Sequence, residues 1–366
     1  MKSKRKRGEI ILLGAVAVVV LIVLLIVFMG REKESKTKVG FIMSGACDET
    51  GWNGMHYNGM KQACESLGVE LLVKENVKEF EGECEVAIEE LVEAGAGLII
   101  LSSYNYSEEV KDVVKQYPEI VFYGNSSEYH DVNMTSYFAR MYQARYLAGI
   151  VAGMQTETGK IGYVAAMSNN EVNRGISAFT LGVKKVNPTA EVIVAWSGDW
   201  DAEEEEKRLA EALVKEAGVD ILTYHQNRSN VIDTAEQLGV YSIGYHEAMT
   251  GKSEKYLMSV VCEWEMVYKE LVKSFLSGKA NEKENYWIGM EVEAVGLSEY
   301  SALVSGEIRQ RVRTEKKELI SGKDVFSGEI YDTEGILRCG EKEMISDEIL
   351  LEQFDWFVEG VRFYEE

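Results

Sequence analysis

The chain has 366 residues, 46% apolar and 10% aromatic, with a formal net charge of −22. So much apolar material argues against a disordered chain, and the length exceeds what one core usually holds. The acidity argues against a nucleic-acid partner, which would need a basic face, and is that of a solvated, self-repelling surface.

The first seven residues are strongly basic, and the run from Ile10 to Met29 carries no charge. Twenty apolar residues at a rise of ~1.5 Å span about 30 Å, the hydrocarbon thickness of a bilayer. The basic flank stays in the cytoplasm, so everything after Gly30 is expected outside. The segment after the run has neither an A-x-A cleavage pattern nor a cysteine for lipid attachment, which favours a retained anchor over residues 10–29; cleavage and release is the other reading. Residues 31–38 (REKESKTK) lack apolar side chains and predict a flexible stalk.

From Lys38 onward short apolar runs alternate with helical stretches. Strands are predicted at 39–44, 69–73, 98–101 and 120–123, separated by helices over 52–67, 84–93 and 108–116. The pattern then repeats, with strands at 160–166, 191–195, 219–223 and 241–244 and helices over 171–185, 202–216 and 231–238. Continuous apolar strands in β-α-β alternation predict parallel sheets covered on both faces, here in two doubly wound lobes. A helix at 264–277, a strand at 286–290, a helix from about 300 to 320, an irregular stretch at 328–340 and a final helix at 347–358 follow.

Ligands of such sheets bind beyond the carboxyl ends of the strands. After the first strand comes Gly45-Ala-Cys-Asp-Glu-Thr-Gly-Trp-Asn-Gly54, offering Asp48 and Asn53 beside Trp52. Trp52 is either a stacking platform for a flat ligand or a ring packed under its own loop. Ser102-Ser-Tyr-Asn-Tyr-Ser107 brings Tyr104 to the end of another strand. In the second unit Trp200, His225, and His246 with Glu247 follow strands, and Trp264 follows a further one. The joint placement of these residues predicts a binding cleft.

Catalytic readings are weaker. There is no G-x-S-x-G elbow and no phosphate loop, and His246 with Glu247 is the one acid–base candidate. The four histidines lack the close spacing of a helical zinc site, so no metal is expected, and no motif calls for a cofactor. The five cysteines show no C-x-x-C pair and are odd in number, which fits buried thiols rather than a complete disulfide set.

With those residues in view, the sequence resembles the basic membrane protein family, the substrate-binding lipoproteins of purine-nucleoside ABC importers. The stretches that carry the resemblance are Tyr137-Phe-Ala-Arg-Met-Tyr-Gln-Ala-Arg-Tyr-Leu-Ala-Gly-Ile-Val-Ala-Gly153, Glu171-Val-Asn-Arg-Gly-Ile-Ser-Ala-Phe179 and Gly239-Val-Tyr-Ser-Ile-Gly-Tyr245. The first loop, with Asp48, Gly51, Trp52, His56 and Gly59, looks like the branch carrying a loop tryptophan. The resemblance implies a type I periplasmic-binding fold with three crossovers, near Asn133, Cys262 and Glu291. Lobe 1 is then residues 37–132 plus 263–292, and lobe 2 residues 133–262 plus 293–366. It also implies that Trp52 stacks on a base, that Asp48 and Asn53 are its polar neighbours, and that Trp200 and His225 approach from the other lobe.

Three departures stand out. Family members commonly have an aspartate where this chain has His246, and a lysine where it reads Glu291-Val-Glu293; no lipobox cysteine is present. The expected function is capture of a purine base or nucleoside for an ABC permease and ATPase at the extracytoplasmic face of the membrane. An anchored ligand sensor using the same cleft is the alternative.

Overall fold

A computed structural model describes residues 37–49, 51–127, 129–249, 251–283 and 285–365. The basic flank, the apolar run and the stalk up to Lys36 lie outside the described residues, as does Thr50 of the first loop. No helix among the described residues is long and apolar enough to cross a membrane.

The apolar runs form two sheets. The first contains β1 (Lys38–Ile42), β2 (Glu70–Lys74), β3 (Ala96–Leu101), β4 (Val121–Asn125), β5 (Met134–Ala139) and β11 (Asn285–Ile288). Its order is β11-β5-β4-β3-β1-β2, parallel throughout. The second contains β6 (Lys160–Ala165), β7 (Glu191–Trp196), β8 (Ile221–His225), β9 (Tyr241–His246), β10 (Tyr256–Cys262), β12 (Val295–Leu297) and β15 (Val361–Phe363). Its order is β12-β10-β9-β8-β6-β7-β15, with β12 antiparallel to β10 and the other pairs parallel. Helices cover both faces of the central strands, and all five residues of β8 are buried, the polar Thr223 and His225 among them.

Helices connect the strands: α1 (Trp52–Leu67), α2 (Glu83–Glu93), α3 (Tyr106–Glu109), α4 (Lys111–Gln116), α5 (Met141–Gln155), α6 (Asn170–Val186), α7 (Glu203–Ala212), α8 (Asn230–Leu238) and α9 (Trp264–Leu276). Asn169 caps α6 by accepting from Val172 N at 2.9 Å. Helices α5 and α6 cross at unusually short range: a Cβ on Gly149 would lie 1.9 Å from the Phe179 carbonyl oxygen, and one on Gly182 2.0 Å from that of Tyr146. The C-terminal region adds α10 (Gly306–Ile320), a ribbon of β13 (Ile330–Tyr331) and β14 (Leu337–Cys339), and α11 (Asp347–Glu352).

The chain passes between the sheets after β5, after β10 and after β11. The first passage corrects the expected crossing near Asn133: Met134–Ala139 is fully buried and pairs with β4, so residues 133–139 belong with the first sheet and the chain crosses at Arg140. Four predicted stretches also differ. The helix expected over 108–116 is two short helices broken at Val110. The one expected over 202–216 ends at Ala212 and closes through a π turn at Leu213–Ala217. The final helix stops at Glu352, because Phe354, Trp356 and Val358 turn inward at every second position, an extended rather than helical period. The stretch at 328–340 holds the β13–β14 ribbon rather than irregular chain.

Candidate ligand site between the two sheets

Because the strands concerned run parallel, the carboxyl ends of β1, β3, β7, β8, β9 and β10 and the segments that follow them carry the residues singled out above. On the first sheet, Gly51 turns the chain into α1 with φ 82°, a left-handed conformation that glycine adopts without strain. A Cβ there would also meet the backbone oxygen of Asn227, from the second lobe, at 3.4 Å. Trp52, half-buried, opens α1 and donates from its indole Nε1 to the Ser102 carbonyl at 3.3 Å.

One helical turn later His56 is completely buried between two indoles. Its ring centroid is 4.0 Å from Trp52 and 3.7 Å from Trp264, the latter carried by α9. His56 Nδ1 is hydrogen-bonded to the Tyr268 hydroxyl, which lies 3.3 Å from that of Tyr137. His56 Nε2 and Trp264 Nε1 are buried with no hydrogen-bond partner among the described residues.

The second lobe presents His246, edge-on to Trp52 at 6.0 Å. Its backbone is left-handed, φ 71°, and Glu247 N donates to the Tyr245 carbonyl at 3.0 Å, so the imidazole is carried at the centre of a γ-turn. Such turns are rare and strained for a side chain of this size, and strain of this kind gathers at functional sites. Behind His246 lie Tyr245 (3.7 Å), then His225 (4.8 Å from Tyr245) and Trp200 (5.7 Å from His225). The Trp200 loop is pinned by the buried Gln226, whose amide, in the orientation that satisfies both its ends, donates to the carbonyls of Asp199 and Trp200 at 3.0 and 3.2 Å.

Burial holds all three histidines of this cluster below their ordinary pKa. For His56 the second cause is the nearby His246; for His246 it is His225 and then Arg145. His225 is lowered by burial and Arg145, against the opposing pull of Glu171, whose carboxylate lies 3.6 Å from its Nε2. Glu171 itself is lowered: burial works to raise it, but His225 and the guanidinium groups of Arg174 and Arg145 outweigh that. At neutral pH the imidazoles are therefore uncharged, and the site is a set of flat, neutral rings with unpaired polar atoms at their edges. That arrangement suits a flat, uncharged heterocycle.

Of the residues singled out from the sequence, the structure joins Trp52, Trp264, His246, His225 and Trp200 in one chain of ring contacts. Asn53 instead turns back on its own loop, donating to Glu49 Oε2 at 2.9 Å. Asp48, Tyr104 and Glu247 are exposed at the loop tips. His56 was singled out by the family resemblance alone, and Arg145, Glu171, Gly175 and Tyr245 not as site residues. Among the described residues no cluster of His, Cys, Asp and Glu suited to a metal is found.

Comparison with known proteins agrees with this architecture. A putative ABC transporter glucose-binding protein of Haloferax volcanii is 32% identical over 76% of this chain and 68% of its own length. The purine-binding protein BAB2_0673 of Brucella abortus is 31% identical over 90% of this chain and 93% of its own. The crystal structure of a transcriptional activator of the comK gene from Bacillus halodurans superposes with a TM-score of 0.70 at 26% identity, covering 78% of this chain and 98% of that one. An ABC transporter solute-binding protein from Conexibacter woesei, at 17% identity and a TM-score of 0.62, shares the fold. The profile of the Bmp family, ABC transporter substrate-binding protein PnrA-like, matches residues 36–327, and the chain belongs to that family.

Proposed function

We propose that this protein captures a purine base or nucleoside between its two lobes and delivers it to an ABC importer. Membership of a family of ABC transporter substrate-binding proteins supports an extracytoplasmic binding role with a small-molecule ligand and transporter partners, rather than catalysis. The observation that carries the purine reading is the run of rings Trp264–His56–Trp52–His246–Tyr245, which passes from one lobe to the other with its imidazoles neutral. Stacking a base on such a ring contributes ~1–3 kcal/mol, with little regard to which base it is. The similarity to a purine-binding protein over nine-tenths of the chain supports the same ligand class.

In this reading Trp52 is the stacking platform, and Trp264, His225, His246 and Trp200 line the cleft. Asp48, Asn53, Tyr104 and Glu247 form its rim. A neutral imidazole at position 246 lacks the paired acceptors a carboxylate offers two ribose hydroxyls. Glu291, at the position of the family's lysine, accepts from its neighbour Gly289 N at 3.0 Å. Both features favour a free base over a nucleoside. The permease and ATPase are the partners, and the apolar run at residues 10–29 is the tether.

Titration of the purified protein with adenine, hypoxanthine, guanine, their nucleosides and glucose, followed by tryptophan fluorescence and melting temperature, tests this. A purine at a hundredfold excess over its dissociation constant should add ~2.7 kcal/mol of stability, and Trp52→Ala should abolish the response. Glucose binding without purine binding would overturn the ligand class. A second reading, an anchored sensor using the same cleft, draws support from the likeness to the Bacillus halodurans activator. Stimulation of a reconstituted importer's ATPase by the loaded protein separates the two.

A further inference from the structure

The second lobe buries a group of polar side chains that the stacking rings leave unexplained. Arg145 of α5 is 1% exposed, His225 is 3% exposed and Tyr163 is fully buried. Arg145 Nη1 donates to the Tyr224 carbonyl at 3.0 Å, and the guanidinium lies over the Tyr245 ring, 3.8 Å from its centroid. Its Nε and Nη2 have no hydrogen-bond partner among the described residues, nor do the Tyr163 hydroxyl and His225 Nδ1. His225 packs against the same Tyr245 ring, so these groups converge.

The other nitrogen of His225 sets its chemistry. Nε2 lies 3.2 Å from the Tyr245 hydroxyl and 3.6 Å from Glu171 Oε1. A carboxylate only accepts, so it favours the tautomer with the proton on Nε2, leaving Nδ1 as an acceptor. Gly175 adjoins Nδ1: a Cβ there would meet Nδ1 at 3.5 Å and the Tyr163 hydroxyl at 4.0 Å. Burying guanidinium N–H groups without acceptors is unfavourable, so a ligand that supplies an acceptor is favoured there. Here such groups lie one turn into α5, the helix that begins where the chain leaves the first lobe.

We propose that these unpaired groups form a subsite for the pyrimidine-ring edge of a purine, Arg145 donating to the acceptor of that edge and His225 Nδ1 accepting from the adjacent N–H. The inference rests on the purine reading above and deepens it, because it fixes which way the base enters. The N1–C6 edge faces the second lobe and N9 points away from it. Glu171 is a positioning residue, acting through the tautomer of His225.

Calorimetric titration of the full-length protein with hypoxanthine, 1-methylhypoxanthine and 9-methylhypoxanthine tests the orientation without altering the protein. The 1-methyl compound should bind about 10- to 100-fold more weakly, because its methyl removes the N1–H that His225 Nδ1 accepts and crowds the buried contact beside it, and the 9-methyl compound within about threefold of the parent. Gly175→Ala places a methyl beside Nδ1 and should weaken hypoxanthine by a similar factor at an unchanged melting temperature. Equal affinity for the 1-methyl and parent bases, together with loss of binding in Trp52→Ala, would overturn the subsite and leave the purine reading standing. Failure of the wild-type protein to bind any purine would remove both. Should Gly175→Ala not fold, the comparison of the two methylated bases decides alone.

Discussion

Acid should loosen this protein before its carboxylates titrate, and the cause lies between its lobes. His56 and His246 face the cleft from opposite sides, buried to 0% and 7% exposure, and both are held well below the ordinary histidine value of 6.5. A base whose folded pKa is depressed stays neutral while the unfolded chain takes up the proton. Stability is then complete above the unfolded value and is lost as pH falls through it. At about pH 5.5, one unit below that value, the pair together should cost about 3 kcal/mol relative to pH ~7.5. In a chain of this length that is about 4 °C in melting temperature. Glu109 and Glu206, whose carboxyls burial raises, oppose the trend, so the pair's share is read as a difference between proteins. Thermal melts of wild type and of a His56→Gln/His246→Gln double variant across this range provide the measurement. If the double variant loses as much stability on acidification as wild type does, the argument is wrong.

The γ-turn at His246 makes a separable prediction: His246→Gly should relieve left-handed strain of ~1 kcal/mol, leaving chemical stability equal or higher while purine affinity falls in the same preparation. Gly149→Ala drives a methyl into the Phe179 carbonyl and should destabilise by about 3 kcal/mol or more in urea titration. Gly296→Ala, whose Cβ meets nothing within 4 Å, is the control and should change little. All five cysteines are free thiols, so dithiothreitol should leave the melting temperature unchanged. Cys47 is the one cysteine not fully buried, and burial pushes its thiol up to about 11, so alkylation near neutral pH should be slow and confined to it.

The strands that proved easiest to read were those with uninterrupted apolar residues, such as the Leu98–Leu101 part of β3, whose neighbours on both faces leave no polar period to confuse the pattern. The segment from β5 through α5 was not legible as elements for a related reason. Residues 141–153 are all buried, so α5 shows no solvent-facing stripe and carries no helical period. Reading it only as a family signature put the first crossover at Asn133, before a strand that belongs to the first sheet. In the cleft, Trp264, His225 and His246 could be found because each ends or closely follows a strand, and Trp52 because it stands at the end of the loop after β1. Arg145 and Gly175 could not: one lies on a helix after a strand that went unread, the other past the first turn of α6. Their importance appears only when α5, α6, β6 and β8 are brought together.

The pairing of β15 with β7 bears on the order in which this protein can assemble. Val361, Arg362 and Phe363 align with Val192, Ile193 and Val194, and Tyr364 N donates to the Val194 carbonyl at 2.8 Å. The first sheet waits in the same way for β11, which reaches β5 only after β6 to β10 of the second sheet have been threaded between them. A chain emerging amino end first therefore exposes β5 and β7 as apolar, unpaired edges for most of its emergence. Such edges recruit strands from other chains, and closing contacts so distant in sequence is slow. Removal of residues 361–365 would make the opening at β7 permanent, and the resulting fault would be seen first as aggregation during production, ahead of any loss of ligand affinity.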